Sequence, residues 1–205
     1  MNKAYLIILI AFCAACNSSE KKPEYIQKAI EKKEAIKKAK DTVEKPPIIN
    51  VVDTVQPKRI VVFMKDSAAN FERLNLKLAQ IYGMKLPECF KKNNVKITGA
   101  PMAWYTSQKA PFFFEAGIPV NKKPAKLTPG IKVKETGADS ALLAHFYGPY
   151  DMKHVGYETL MDILKDRKKK QSSAPYEVYV TNPVDVKGKH TDPYKVQTDI
   201  VIPRR

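Results

Sequence analysis

From Lys58 onward the chain reads as one pattern of segments written twice, and this duplication constrains the fold more than any other feature. The first copy opens with a strand, Arg59-Ile60-Val61-Val62-Phe63. A helix follows, with Phe71, Leu74, Leu78, Ile81 and Tyr82 on one face, and then two strands, around residues 101–106 and 111–120. The second copy opens with residues 131–135 or 142–147, which are either one bent strand or a hairpin pair. Its helix runs from about 150 to 168 and buries Val155, Leu160, Ile163 and Leu164. Two strands, 176–180 and 194–202, close it.

The two copies superimpose residue by residue. Pro101-Met102-Ala103-Trp104-Tyr105 lies over Pro175-Tyr176-Glu177-Val178-Tyr179, and Ile118-Pro119 lies over Ile202-Pro203, which sets Glu115 opposite Asp199. A β-α-β-β half of this size is too small to bury both of its faces, so the halves must share a sheet or pack together. The expectation is an α+β fold of duplicated β-α-β-β units with pseudo-twofold symmetry and a central ligand groove between helices and sheet.

Four stretches carry a family resemblance: Phe-Tyr-Gly-Pro-Tyr at 146–150, Pro-Tyr-Glu-Val-Tyr-Val-Thr-Asn-Pro at 175–183, and the strand endings Phe-Glu-Ala-Gly-Ile-Pro-Val at 114–120 and Gln-Thr-Asp-Ile-Val-Ile-Pro at 197–203. Over residues 58–205 the chain resembles the GyrI-like small-molecule-binding domain, the effector-binding domain also found in AraC-type and multidrug-responsive transcription activators. The resemblance implies two β-α-β-β units around a groove, with a glutamate of the Tyr-Glu-x strand meeting cationic ligands at the bottom of an aromatic pocket. That glutamate is Glu177 here, unless it pairs with a lysine on an exposed sheet face; Tyr179, Tyr105, Tyr147 and Trp104 are the candidate aromatic ligand-binding residues, with plain core roles as the alternative for the three tyrosines. Strand alternation sets Glu177 and Tyr179 on one face, with Ala103 and Tyr105 as their counterparts in the first half. Ala103 carries no charge, so a cation site would be one-sided. Trp104 points the other way unless a bulge turns it inward.

The N-terminus reads MNKAYLIILIAFCAAC. Lys3 is followed by an apolar run from Ala4 to Ala15, shorter than the ~20 residues of a spanning helix but of the length of a secretory core. Cys13-Ala14-Ala15-Cys16 resembles a bacterial lipobox, with Cys13 where Leu usually stands. The expectation is a lipoprotein signal peptide over 1–15 and a lipid on Cys16, which places the chain in the bacterial cell envelope, held to a membrane. Residues 16–57 read as a tether, rich in lysine, with Ile26, Ala29, Ile30, Ile36 and Val43 at near-helical spacing and a stop at Pro46-Pro47. Ile48 to Val55 is β-branched and suited to extended backbone.

A net charge of +15 admits acidic partners such as anionic lipid, nucleic acid or an envelope polymer. Residues 17–57 are too short and too lysine-rich for a helix-turn-helix pair, so nucleic acid is not expected. One cysteine beyond the N-terminal segment, Cys89, and three scattered histidines give no disulfide framework and no metal-ligand spacing; Cys89 reads as a small buried hydrophobe. No metal, cofactor or catalytic residue is expected, and the protein reads as a monomer. The leading function is a membrane-tethered receptor, buffer or carrier for a hydrophobic or cationic small molecule. One alternative is a hydrolase of reactive toxins with Glu177 or Glu115 as general base. The other is an envelope protein-interaction module whose groove is filled by bulky side chains such as Phe112, Phe113 and Phe114.

Overall fold

The computed structural model describes residues 45–184 and 188–205, so the expected signal peptide, the expected lipidation at Cys16 and the expected tether up to residue 44 lie outside the described residues. Residues Pro46–Arg205 form one compact body. Eight strands make a single antiparallel sheet: β1 Ile48–Val55, β2 Arg59–Ala68, β3 Met102–Tyr105, β4 Phe112–Val120, β5 Ile131–Thr136, β6 Ser140–Tyr147, β7 Tyr176–Tyr179 and β8 Gln197–Pro203. Their order is β1-β6-β8-β7-β3-β4-β2-β5. Exchanging β1 with β5, β2 with β6, β3 with β7 and β4 with β8 reverses this order onto itself, which is the signature of a twofold axis through the sheet centre.

The axis falls between Ala103 and Glu177, which face each other across the β3–β7 ladder. Ladder pairing gives the register read from the repeat. Ala103 faces Ala116 as Glu177 faces Ile200, and Trp104 faces Glu115 as Val178 faces Asp199. The repeat unit is larger than expected, however. Each half is β-β-α-β-β, and its opening strand is exchanged: β1 pairs with β6 of the second half, and β5 pairs with β2 of the first.

Two expectations are corrected by this exchange. Residues 131–135 and 142–147 are neither a bent strand nor a hairpin, because β6 is already paired on both sides by β1 and β8, while β5 buries Ile131 against the first helix from the other edge. And Ile48–Val55 is not tether but an integral strand, with Ile49 and Val51 packed on the second helix's core.

Chain geometry then dictates a curled sheet. From Val55 to Arg59 is four residue steps, at most about 14 Å, yet β1 and β2 stand six strand spacings apart, about 29 Å along a flat sheet. The edges must fold toward each other. Where they meet, the two connections hydrogen-bond: Gln56 N–H donates to Asp139 O at 3.0 Å and Ala138 N–H donates to Gln56 O at 2.7 Å. Gly137, at φ +95°, sits where a Cβ would lie 2.0 Å from Pro57 O, so only glycine fits that crossing. The sheet thus has a concave face, lined by Val61, Phe63, Met102, Trp104, Ala141, Tyr176 and Val201, and a convex face that carries the helices.

On the convex face, α1 Phe71–Gln80 and α2 Leu86–Asn93 form one rod joined by a π-helical turn, Ile81–Lys85. Asn70 caps the start by accepting from Arg73 N–H at 2.9 Å, and Asn94 ends it at φ 51°. The π turn, where Leu86 N–H reaches back to Ile81 O, precedes Pro87 and accommodates its missing N–H. Leu74, Ile81, Leu86, Cys89 and Phe90 bury the rod on Val62, Phe114, Ala116 and Ile118.

In the second half, Tyr150–Met152 form a 3₁₀ turn that leads into α3, Lys153–Asp166. Leu160 and Leu164 pack on Leu142, Ala144, Phe146, Ile200 and Ile202. Gly156 brings this helix close to the sheet: a Cβ there would lie 2.6 Å from Ile200 Cδ1. Among the described residues no helix is long and apolar enough to cross a membrane.

Candidate functional site

The short central strands β3 and β7 present alternate side chains to opposite faces, so the twofold axis is where the sheet's two surfaces are furnished most differently. On the convex face stand Glu177, Tyr105 and Tyr179. Glu177 is fully buried, and its carboxylate is not free. Lys153 Nζ donates to Oε2 at 2.6 Å, and Tyr157 OH donates to Oε1 at 3.2 Å. Tyr105 and Tyr179 share a hydroxyl–hydroxyl hydrogen bond of 2.6 Å, and Tyr82 OH donates to Met102 O at 2.8 Å. The Lys153 ammonium lies 4.9, 5.4 and 5.6 Å from the ring centroids of Tyr150, Tyr105 and Tyr179. This is an aromatic–carboxylate cation site with a cation in it, and the cation belongs to the chain itself.

Lys153 reaches the floor because it belongs to the buried stripe of α3. Lys153, Gly156, Leu160 and Leu164 follow one another at spacings of three and four, and Gly156 lowers the helix onto β8. A buried pair of this kind is held by its hydrogen bonds as much as by its charges, since desolvation opposes both ions. Burial, reinforced by the negative charge of Glu177, drives the Tyr157 and Tyr179 hydroxyls well above the ordinary phenol pKa. Burial does the same to Tyr82 and Tyr105 and lifts Tyr150 to about 12. All five remain neutral phenols at physiological pH and so act as donors and ring faces, never as anions. The space left beside Lys153, bordered by Phe71, Leu74, Tyr105, Gln108, Tyr150 and His154, is about 20 Å³, room for roughly one water.

The fold is shared with solved structures. The crystal structure of the EcmrR C-terminal domain is similar at TM-score 0.62 and 21% identity, over 78% of this chain and 98% of that one. EcmrR in its complex with DNA is similar at TM-score 0.62 and 20% identity, over 88% of this chain and 69% of that one. An uncharacterized conserved protein from Listeria innocua is similar at TM-score 0.51 and 10% identity, over 84% and 98%. No protein-family model and no curated protein matches the sequence. At these identities the likeness establishes architecture, an α+β domain with the GyrI-like fold.

Of the five aromatic and acidic residues implied by the resemblance, Glu177, Tyr179 and Tyr105 come together on the convex face. Trp104 and Tyr147 do not. Trp104 follows regular alternation onto the concave face, where it packs on Tyr176 at 5.4 Å between ring centroids. Tyr147 lies on the same face as Trp104, next to Phe146 on the other; its hydroxyl donates to Gln197 Oε1 at 2.8 Å, in a cluster where His145 Nδ1 meets Asp199 Oδ1 at 2.7 Å. Lys153, Tyr82, Tyr150 and Tyr157 also belong to the site, although the sequence pattern does not assign them to it. A lysine in phase with the buried stripe of α3 was the available signal for the first.

The second carboxylate considered as a base, Glu115, lies on the concave face and is bound by Lys65 at 2.7 Å and Lys134 at 2.7 Å. Burial pushes its pKa up, but the hydrogen bonds from the two lysines outweigh it and hold it below the ordinary value of 4.5. That is the wrong direction for a base tuned toward neutrality. Among the described residues there is no group of three or more His, Cys, Asp or Glu placed to hold a metal ion.

Proposed function

We propose that this chain is a lipid-anchored, small-molecule-binding protein of the bacterial cell envelope, whose convex-face site takes the cationic head of an apolar ligand in exchange for Lys153. The observation that carries this reading is a carboxylate with no solvent exposure, set on the symmetry axis among five tyrosines and already neutralised by an ammonium. The site's charge, ring faces and neutral hydroxyls suit an organic cation; its volume requires that the resident lysine leave first. EcmrR was solved both with DNA and as its C-terminal domain alone, and the likeness of residues 46–205 to that domain supports the reading of a receptor, buffer or carrier. The anchor rests on residues 1–16 and the acyl chain proposed on Cys16.

The test is chemical rescue. Lys153→Ala strands the buried Glu177 carboxylate, empties the place of the lysine side chain and is expected to lower the melting temperature. Butylammonium should then restore it by mass action, while 1-butanol, neutral and of similar bulk, should not. Equal recovery with both compounds, or none with either, would sink the cation site. The small free space supports one other reading, a filled domain that acts through protein contact in the envelope. Failure of rescue by any small cation would favour it.

A further inference from the structure

We propose that the concave face holds a second binding site, for an organic cation with a flat apolar body, built on Trp104 and Glu115 and occupied at rest by Lys134. Its ligand contacts, Trp104 and Glu115, are distinct from Glu177 and Lys153, although Tyr105 borders both spaces, and the proposal stands or falls independently of the convex-face reading.

A hollow of about 790 Å³ opens on the concave side of the first half, between β2, β3, β4, β5 and the loop that precedes β7. Its size lies within the range of small-molecule sites, and the mouth of a curled sheet is a recurrent place for them. Trp104 forms part of its floor. The Lys134 ammonium sits 3.1 Å from the Trp104 ring centroid and 4.9 Å from that of Phe63, while donating to Glu115 Oε2 at 2.7 Å. An ammonium held against a ring face with a carboxylate beside it is the arrangement by which aromatic cages select organic cations. Here the space in front of it is open.

Two features separate this lysine from Lys153. Its side chain is 25% exposed, against 9% for Lys153, so its ammonium can swing into water on a flexible stem without crossing the core. When it leaves, a ligand cation takes its place beside Glu115, so the local charge is unchanged by the exchange. The lining is also at odds with the rest of the chain. It carries Lys65 and Lys134 against Asp66, Glu115, Glu135 and Asp139. Lys77 pairs with Asp66, and Lys58 and Lys123 with Glu135, all from outside the hollow. A chain of net charge +15 therefore offers an incoming cation a near-neutral hollow there.

The twofold comparison adds an independent argument. The mates of Trp104, Lys65 and Lys134 are Val178, His145 and Thr54, by the ladder registers of the two halves. Asp199, the mate of Glu115, is bound instead by His145 and by Gln197 at 2.8 Å. The ring and the lysines are thus properties of one half alone, beyond what the shared fold requires.

Trp104 is the only tryptophan in the chain, so its fluorescence reads this site directly. The probe is the N-methylquinolinium cation, titrated into the folded full-length protein, with neutral 1-methylnaphthalene as the isostere. Saturable quenching is expected with the cation and not with the isostere. Glu115→Gln should weaken the apparent affinity about tenfold, and Lys134→Met, which removes the resident competitor, should tighten it at least threefold. The two variants move in opposite directions, so a general loss of structure cannot imitate the pattern. Non-saturating quenching, equal response to the neutral compound, or weaker binding by Lys134→Met would each overturn the proposal.

Discussion

The two halves of this domain follow the same path and differ at the few positions that matter chemically. At the axis the first half offers Ala103 and the second Glu177. One helix is a rod bent through a π turn that sends Tyr82 to the sheet centre; the other is straight and delivers Lys153. At the next ladder position the first half has Gly117 where the second has Val201. Symmetry builds the scaffold, and its departures furnish the sites: a duplicated sheet needs matched ladders, but a single ion pair on its axis can come from one half only.

The largest effect is expected from removing Glu177, the residue at which the two halves differ most. Glu177→Ala makes the axis symmetric with Ala103 but leaves the Lys153 ammonium buried without a partner, at a cost of about 3–5 kcal/mol. Pairing it with Lys153→Met should recover most of that loss, read as the urea midpoint at unchanged m-value. A single-variant cost below about 1 kcal/mol would mean that the pair is not a buried ion pair in solution.

A smaller effect is expected from copying a residue of one half into the other. Gly117→Val imitates Val201, but a Cβ at 117 meets Val61 Cγ1 at 2.7 Å, Phe63 Cβ at 2.8 Å and Val62 O at 2.9 Å. Overpacking of this kind costs about 1–3 kcal/mol. Adding Val61→Ala, which reproduces Ala141 of the second half, should return part of it. If the double variant is no better than the single, the two halves do not balance large against small residues in the same way.

The smallest effect concerns pH. Glu115 titrates below 4.5 in the folded protein, so between its folded and unfolded values the unfolded chain binds more protons and stability rises with pH. Its contribution is present above about 4.5 and is lost as the pH falls through the folded value. The difference in urea midpoint between the native chain and Glu115→Gln should therefore stay constant from pH 7 to about pH 5 and shrink below that. A difference that grows on acidification would contradict the lysine clamp.

Much of the frame was legible in the sequence because the strands of a repeat carry their own register. Pro101–Tyr105 over Pro175–Tyr179, and Ile118-Pro119 over Ile202-Pro203, fixed which residues share a face before any pairing was known, and Trp104 obeyed the alternation. The exchange of β1 and β5 was not legible. Ile48–Val55 and residues 131–135 announce extended backbone, but nothing local in a strand names the edge it will cover. The convex site was half legible. Glu177, Tyr105 and Tyr179 lie on strands whose period is two. Lys153 is in phase with the buried stripe of its helix, but lysine is ordinarily an exposed residue, and only the partner carboxylate across the fold explains its burial.

The contact between Pro47 and Gly148 has a mechanical consequence. A Cβ added at Gly148 would lie 2.9 Å from Pro47 Cβ, so the chain entering the sheet rests directly on the turn that leads to Tyr150 and Lys153. Any pull that reaches Pro47 loads that turn before it strains a single rung between β1 and β6, beginning with Ile48 against Tyr147. If the proposed exchange of Lys153 for a ligand takes place, tension on the incoming chain and withdrawal of that ammonium bear on the same turn.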